Sequence, residues 1–269
     1  VSIRADRTAL QFLPTDPLQP LYGGMLDVRF DGRRIWSFDL RNATQAEDGW
    51  WHVPWPVALR RFLEGHVDIE VVTASPTQSE PPRSLAHGPC RFGSGDGRVS
   101  LVDDAGRPLT LSKWGRVTLT FEQVGQQLKE EYLDRVHDVI QVLEDDCGVP
   151  TFIAYGTLLG AVREGTLIGH DIDVDLGYLS DATSPVDAIL ENYAIERRLR
   201  QLGWRSSRAN GGFLQLFPTL SDGSTRNIDV FTAFVADGWL YQINDIVTPA
   251  DAGAIVPLGT IELEGRQFP

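Results

Sequence analysis

The chain has 269 residues, of which 42% are hydrophobic and 23% charged, and its formal net charge is −13. That is ordinary globular composition, and the length favours two modest domains over one large one. The acidic balance excludes wrapping of nucleic acid, which needs a basic surface, and no apolar run reaches the roughly 18 residues that would mark a membrane-spanning helix.

An acidic protein can still take a nucleotide, because clustered carboxylates hold a divalent cation that in turn receives phosphates. The opening VSIRADRTALQFLPTD lacks the apolar stretch of a signal peptide. Val1 is not an initiator methionine, so targeting sequence ahead of it is left open; the expected location is cytoplasmic, including the inner face of a membrane. Cys90 and Cys147 are far apart, which fits a reducing compartment and no disulfide framework.

Residues 24–30 and 33–40 alternate apolar and polar side chains around Asp31-Gly32, the pattern of a hairpin. A short helix is expected over 56–64, with Pro56 in its first turn, and a strand over 66–73. The stretch 75–97 reads as loop, rich in Pro, Ser and Gly. Within it, Gly93-Ser-Gly-Asp-Gly97 is a turn and not a nucleotide loop, because no helix follows. A second hairpin is expected around Asp104-Ala105-Gly106, and a further strand over 114–121. Together, residues 1–121 read as a β-sandwich-like accessory domain. Its Trp50, Trp51 and Trp55 fit either a sugar-stacking platform or, more commonly, core packing.

The texture changes near 121, and the domain boundary is placed just before 122. Val124, Leu128, Tyr132, Val136, Ile140 and Leu143 recur at helical spacing in a proline-free stretch ended by Gly148 and Pro150. A second helix is expected from Ser184-Pro185, with Asp187 completing its cap, to about residue 202 before Gly203. Strands are expected over 213–217, 227–234 and 239–243. Residues 122–269 thus read as an α/β domain with a mixed sheet.

The chemistry concentrates at Asp171, Asp173 and Asp175, which alternate with Ile172, Val174 and Leu176. On a strand the three acids share one face, about 6–7 Å apart, close enough to converge on one or two Mg²⁺. The plainer alternative is a charged sheet edge. A calcium loop is disfavoured, because Leu176 and Ala182 stand where it needs Gly and Glu. Upstream, Gly156 and Gly160 frame a turn that opens a short helix, a setting suited to phosphate. Downstream, Asp229 is a lone charge in an apolar strand and needs a partner, either a metal or an arginine such as Arg226.

These pieces together resemble the LicD/fukutin family of phosphotransferases, which has a nucleotidyltransferase-like fold: Tyr-Gly-Thr-Leu-Leu-Gly-Ala-Val-Arg at 155–163, the acids at 171–175, Ile-Asp-Val-Phe at 228–231 and the segment 256–269. The resemblance covers about 122–269. It implies transfer of phosphocholine or a polyol phosphate from a CDP-linked donor to a cell-surface glycan, with Mg²⁺ or Mn²⁺. It implies Asp173, Asp175 and Asp229 as metal ligands, Asp171 as a further ligand or the base, and Gly156, Thr157 and Arg163 against donor phosphates. The family usually carries Trp-Asp-Asp-Asp before the last acid; here His170 and Ile172 replace the Trp and the middle Asp. The family also continues past the point matching Pro269, so the catalytic domain is expected to be truncated at its C-terminus. His170 is a candidate to orient phosphate or shuttle a proton, or a structural histidine. Arg163 suits a phosphate fork, or a pair with Glu164. Gln215 and Arg226 are read mainly as solvated sheet face. Transfer of NMP, or metal-stabilised glycan binding without catalysis, are the rival readings.

Overall fold

The computed structural model describes residues 2–15, 24–74, 82–112, 115–242, 246–250 and 252–269. Two compact units emerge, Val1–Gln123 and Val124–Pro269. Among the described residues, no helix is long and apolar enough to cross a membrane.

The first unit contains β1 (Ile3–Ala5), β2 (Ala9–Phe12), β3 (Met25–Phe30), β4 (Arg33–Asp39), β5 (Thr44–Gln45), β6 (Trp51–Pro54), α1 (Val57–Arg60), β7 (Gly65–Thr73), β8 (Ser84–Phe92), β9 (Thr110–Leu111) and β10 (Val117–Thr118). One antiparallel sheet runs β1-β2-β6-β5 and the other β4-β3-β7-β8. Alternate residues of both, among them Leu10, Phe12 and Val53 from one and Val28, Phe30, Val67 and Ile69 from the other, share one apolar core. Asp31 and Gly32 turn the β3–β4 hairpin with φ of 51° and 82°, the left-handed pair that matches strand twist.

Three expectations change here. Residues 84–92 of the expected loop form β8, whose residues pair with β7 from Gly65↔Phe92 to Val72↔Ser84; residues 75–81 lie outside the described residues. Pro89 and Gly88 hid this strand, but β8 is an edge, where proline breaks no interior ladder. The hairpin around Asp104 reduces to the Val102↔Pro108 bridge and β9, with Asp103 accepting from the Ala105 and Arg107 amides. The strand expected over 114–121 reduces to β10; Trp114 itself is outside the described residues.

The tryptophans pack rather than form an open platform. Trp55 is fully buried, its ring 5.8 Å from Phe30 and its Nε1 donating to Asp6 O. Trp50 is buried under the Arg4 guanidinium, and Trp51 is half-buried against the core. The glycine loop at 93–97 wraps a carboxylate: the Ser94 and Gly95 amides both donate to Glu64 Oε1.

The second unit opens with α2 (Gln126–Gln141), which buries Tyr132, Leu133, Val136, Val139 and Ile140 and ends in a π-helical turn over Val142–Asp146. It is followed by β11 (Thr151–Ile153), α3 (Tyr155–Glu164), β12 (Val174–Ser180), α4 (Pro185–Gln201), β13 (Ser206–Asn210), β14 (Phe213–Leu216), β15 (Ile228–Ala236), β16 (Trp239–Gln242), β17 (Ile246–Pro249), β18 (Ile261–Leu263) and β19 (Arg266–Phe268). The mixed sheet runs β11-β12-β15-β14-β13, and β16 and β17 extend it from the far end of β15. β12 and β15 are its parallel pair; the other pairings given are antiparallel.

Helix α4 starts as its cap foretells, with Ser184 Oγ accepting from the Asp187 amide and Pro185 in the first turn. It lies on one face of the sheet. There its fully buried Asn192 donates to Tyr178 Oη and Thr232 Oγ1, on the two parallel strands, and Arg208 donates to Asn192 Oδ1. That network fixes helix to sheet at one position, which apolar contacts alone would leave free to slide. The opposite face carries the acids.

Candidate active site

Side chains two apart on a strand share a face, and residues paired across strands share a row. The row Gln215–Asp229–Asp175 therefore crosses β14, β15 and β12, since Gln215 pairs with Asp229 and Asp229 with Asp175. The neighbouring row includes Phe213, Phe231 and Gly177. Phe213 stacks on Phe231 at 4.5 Å, and Tyr155 meets Phe231 edge-on at 4.7 Å. An acidic row and an aromatic row thus lie side by side.

The strand does not carry all three clustered acids. β12 begins at Val174, so Asp175 is on it, whereas Asp171 and Asp173 lie in the segment leading in. The reason is Tyr132 of α2. Its hydroxyl accepts from the Val174 amide at 3.0 Å and donates to Asn227 O at 2.5 Å, taking backbone groups at the point where the two strands begin to pair. Burial pushes this phenol well above its usual pKa, and the nearby Asp173 charge adds to the effect.

Asp173, Asp175 and Asp229 are 6%, 8% and 7% exposed, while Asp171 is half-buried. Buried carboxylates need donors or a counter-charge. Asn227 Nδ2 supplies one bridge, donating to Asp229 Oδ1 at 2.7 Å and to Asp173 Oδ2 at 3.3 Å. Gln215 Nε2 donates to Asp229 Oδ1 at 3.0 Å. Arg226 is buried too, with Nη1 donating to Ile172 O at 3.2 Å. Gln215 and Arg226 are therefore parts of the site and not solvated sheet face. Asn227 was readable by the same period of two that marks Asp229, but its amide gave no sign that it spans two acids.

The first turn of α3 holds Asp175. The Gly156 amide donates to Asp175 Oδ2 at 3.1 Å, and Thr157 Oγ1 accepts from the Asp175 amide at 2.9 Å. A Cβ at Gly156 would stand 3.1 Å from Asp171 Oδ2 and 3.3 Å from Asp175 Oδ2, so glycine lets both carboxylates close on this turn. The positive end of the helix faces them. Tyr155 enters the turn at φ 43°, a left-handed conformation that side chains seldom adopt, and its ring lies against Phe231. Burial, with the Asp175 charge second, pushes the Tyr155 phenol to about 12.

Thus Gly156 and Thr157 are engaged with Asp175 itself. Arg163 is exposed in the last turn of α3; seven residues at 1.5 Å rise put it about 10 Å along the axis from Gly156. His170 is exposed in the turn just before Asp171.

The donor set is all oxygen, which suits Mg²⁺ or Mn²⁺. Among the described residues, no three His, Cys, Asp or Glu side chains gather as a ready-made metal cage. Asp175 and Asp229, neighbours on parallel strands, are the pair the fold brings together, with Asp173 tied to Asp229 through Asn227.

Residues 148–269 match the family model described as LicD/FKTN/FKRP, nucleotidyltransferase domain. No curated protein matches the chain.

Proposed function

We propose that this unit, which carries the nucleotidyltransferase domain of the LicD/FKTN/FKRP family over residues 148–269, is a metal-dependent phosphotransferase. The donor would be a CDP-linked alcohol, the acceptor a glycan hydroxyl and the transferred group a phospho-alcohol. The observation that carries the reading is the row of buried acids at the start of the β12–β15 pair. Three buried carboxylates are costly for a fold to retain without a cation-dependent use.

Asp175 and Asp229 would hold Mg²⁺ or Mn²⁺, with Asp173 beside them through Asn227. Bound there, the cation would offset charge on the donor pyrophosphate and on the leaving CMP. The side chains divide the remaining work by burial. Asn227 and Gln215 fix the Asp229 carboxylate, and the Gly156 amide fixes Asp175. Asp171, the least buried of the four, would take the proton of the acceptor hydroxyl as its oxygen attacks the alcohol-bearing phosphorus. The new P–O bond forms as the bond to CMP breaks. The Tyr155–Phe231–Phe213 rings give the donor an apolar wall beside the acids.

Titration of Mn²⁺ with CDP into wild type and Asp175→Asn tests this. Metal-dependent CDP binding in the wild type, lost in the variant, is expected. CDP binding that ignores Mn²⁺, or that survives the substitution unchanged, would refute it. CDP-choline, CDP-ribitol, CDP-glycerol and CTP then separate phospho-alcohol transfer, which releases CMP, from NMP transfer, which releases pyrophosphate.

A further inference from the structure

We propose that Glu264, far from the acids in sequence, is a positioning residue of this site: it holds the 165–171 segment that delivers Asp171 to the first turn of α3. The inference rests on the reading of the acids as catalytic. Glu264 sits at the tip of the β18–β19 hairpin, where Leu263 pairs with Arg266. Its Oε1 accepts from the Leu167 amide at 3.0 Å and from Lys129 Nζ of α2 at 3.3 Å. Its own amide donates to Gly165 O at 2.7 Å. The carboxylate side chain is only 11% exposed and that of Lys129 18%.

The backbone makes the choice of residue informative. Glu264 and Gly265 have φ of 52° and 74°, the left-handed pair of a two-residue hairpin turn. Asn, Asp or Gly is favoured at the first of these positions, and a long unbranched acid gains nothing there for the turn. What Glu gains is reach to Leu167. Observed strain that buys an anchor points to a task.

The same segment is pressed from its other side. A Cβ on Gly160 would stand 2.4 Å from Thr166 O, so α3 and this segment already touch backbone to backbone. Beyond it the Asp171 amide closes a turn on Ile168 O at 2.9 Å, and Asp171 Oδ2 then faces Gly156. Held between Gly160 and Glu264, the segment has little freedom to carry Asp171 elsewhere.

Glu264→Asn is the decisive variant, since Asn suits the turn but is too short to reach Leu167. Glu264→Gln keeps the reach and the acceptor oxygen but loses the charge. Hydrogen exchange at the Leu167 amide reads the anchor directly. Exchange about tenfold faster in Glu264→Asn is expected, the loss of one hydrogen bond, with hairpin amides still protected and Glu264→Gln largely restored. Mn²⁺–CDP affinity and turnover should fall by several-fold in the same order. Unchanged Leu167 exchange overturns the proposal. Faster exchange with unaltered Mn²⁺–CDP binding and turnover also overturns it, leaving Glu264 a structural anchor only. A wild type that neither binds Mn²⁺ with CDP nor turns over refutes the catalytic reading, and with it the positioning role; Leu167 exchange would still show whether the anchor exists.

Discussion

Asn227→Asp changes one NH₂ group into oxygen at constant shape, in the middle of the acids. The replaced atom lies 2.7 Å from Asp229 Oδ1 and 3.3 Å from Asp173 Oδ2. At an effective dielectric of about 20, a new unit charge at roughly 3 Å meets repulsion of about 5–6 kcal/mol from each neighbour. The new acid has a cheaper course. Keeping a proton at pH 7, from a reference pKa near 3.9, costs about 4 kcal/mol, and that caps the damage. Its folded pKa is thus raised above the unfolded value. The penalty is absent below about pH 4, grows by about 1.4 kcal/mol per pH unit, and levels off above the folded pKa. Urea unfolding of both proteins in chelator, between about pH 4 and 8, measures the difference. Added Mn²⁺ should narrow the gap. Equal stability of the two proteins at neutral pH in chelator would refute the claim that this amide bridges the two carboxylates.

Two further substitutions probe the opposite face of the sheet. Burial raises the pKa of Glu191, against a weaker hydrogen bond with Ser180, and its Oε1 is buried without a partner. Because the folded pKa is the higher one, ionisation costs stability as pH rises. Glu191→Gln should therefore stabilise at neutral pH by on the order of 0.5–1 kcal/mol, after allowance for screening, and change little in acid; thermal melts at both pH values check this. Arg208 grips Glu196, whose side chain is 9% exposed, through Nε at 2.8 Å and Nη2 at 2.5 Å. Burial alone would raise the Glu196 pKa, but the Arg208 bonds and charge outweigh it and hold it low. Arg200 and Ser206 still bond Glu196 Oε1, so Arg208→Ala should cost on the order of 1–2 kcal/mol at neutral pH. A depressed acid contributes above its unfolded pKa and loses that contribution as pH falls through the folded one, so the deficit should shrink in acid. A deficit independent of pH in denaturant titrations would count against this account.

Where local rules act alone, the sequence was readable. Ser184, Pro185 and Asp187 place the start of α4, and Asp31-Gly32 the first hairpin, because a cap and a turn need only neighbours. Asp229 was legible as a lone charge in an apolar strand, and so were the strands at 213–216 and 239–242; residue 243 lies outside the described residues. The misses share one cause. Period two put Asp171, Asp173 and Asp175 on one strand, but Tyr132 stops the ladder at Val174, and that hydroxyl comes from a helix 42 residues upstream. Arg163 stands in the last turn of α3, and its distance along the helix from Gly156 is a feature that the order of motifs does not give. Gln215 and Arg226 carry polar side chains that pattern assigns to water; only the sheet order shows Gln215 beside Asp229, and only the bond to Ile172 O ties Arg226 to the acid segment. Glu264 reaches across 97 residues to a single amide, and no periodicity records such a contact.

The Tyr132 hydroxyl has a wider consequence. A phenol is a rigid spacer of fixed length, and this one touches both parallel strands where they begin to pair. It acts as a gauge block: the separation of Val174 from Asn227, and with it that of Asp173 from Asp229, is set by a helix whose other buried residues, Leu133, Val136, Val139 and Ile140, are all apolar. The span of the acid cluster is therefore an inherited dimension of α2 packing. A change in that hidden face, such as Val136 or Val139, would retune the site without altering any residue that lines it.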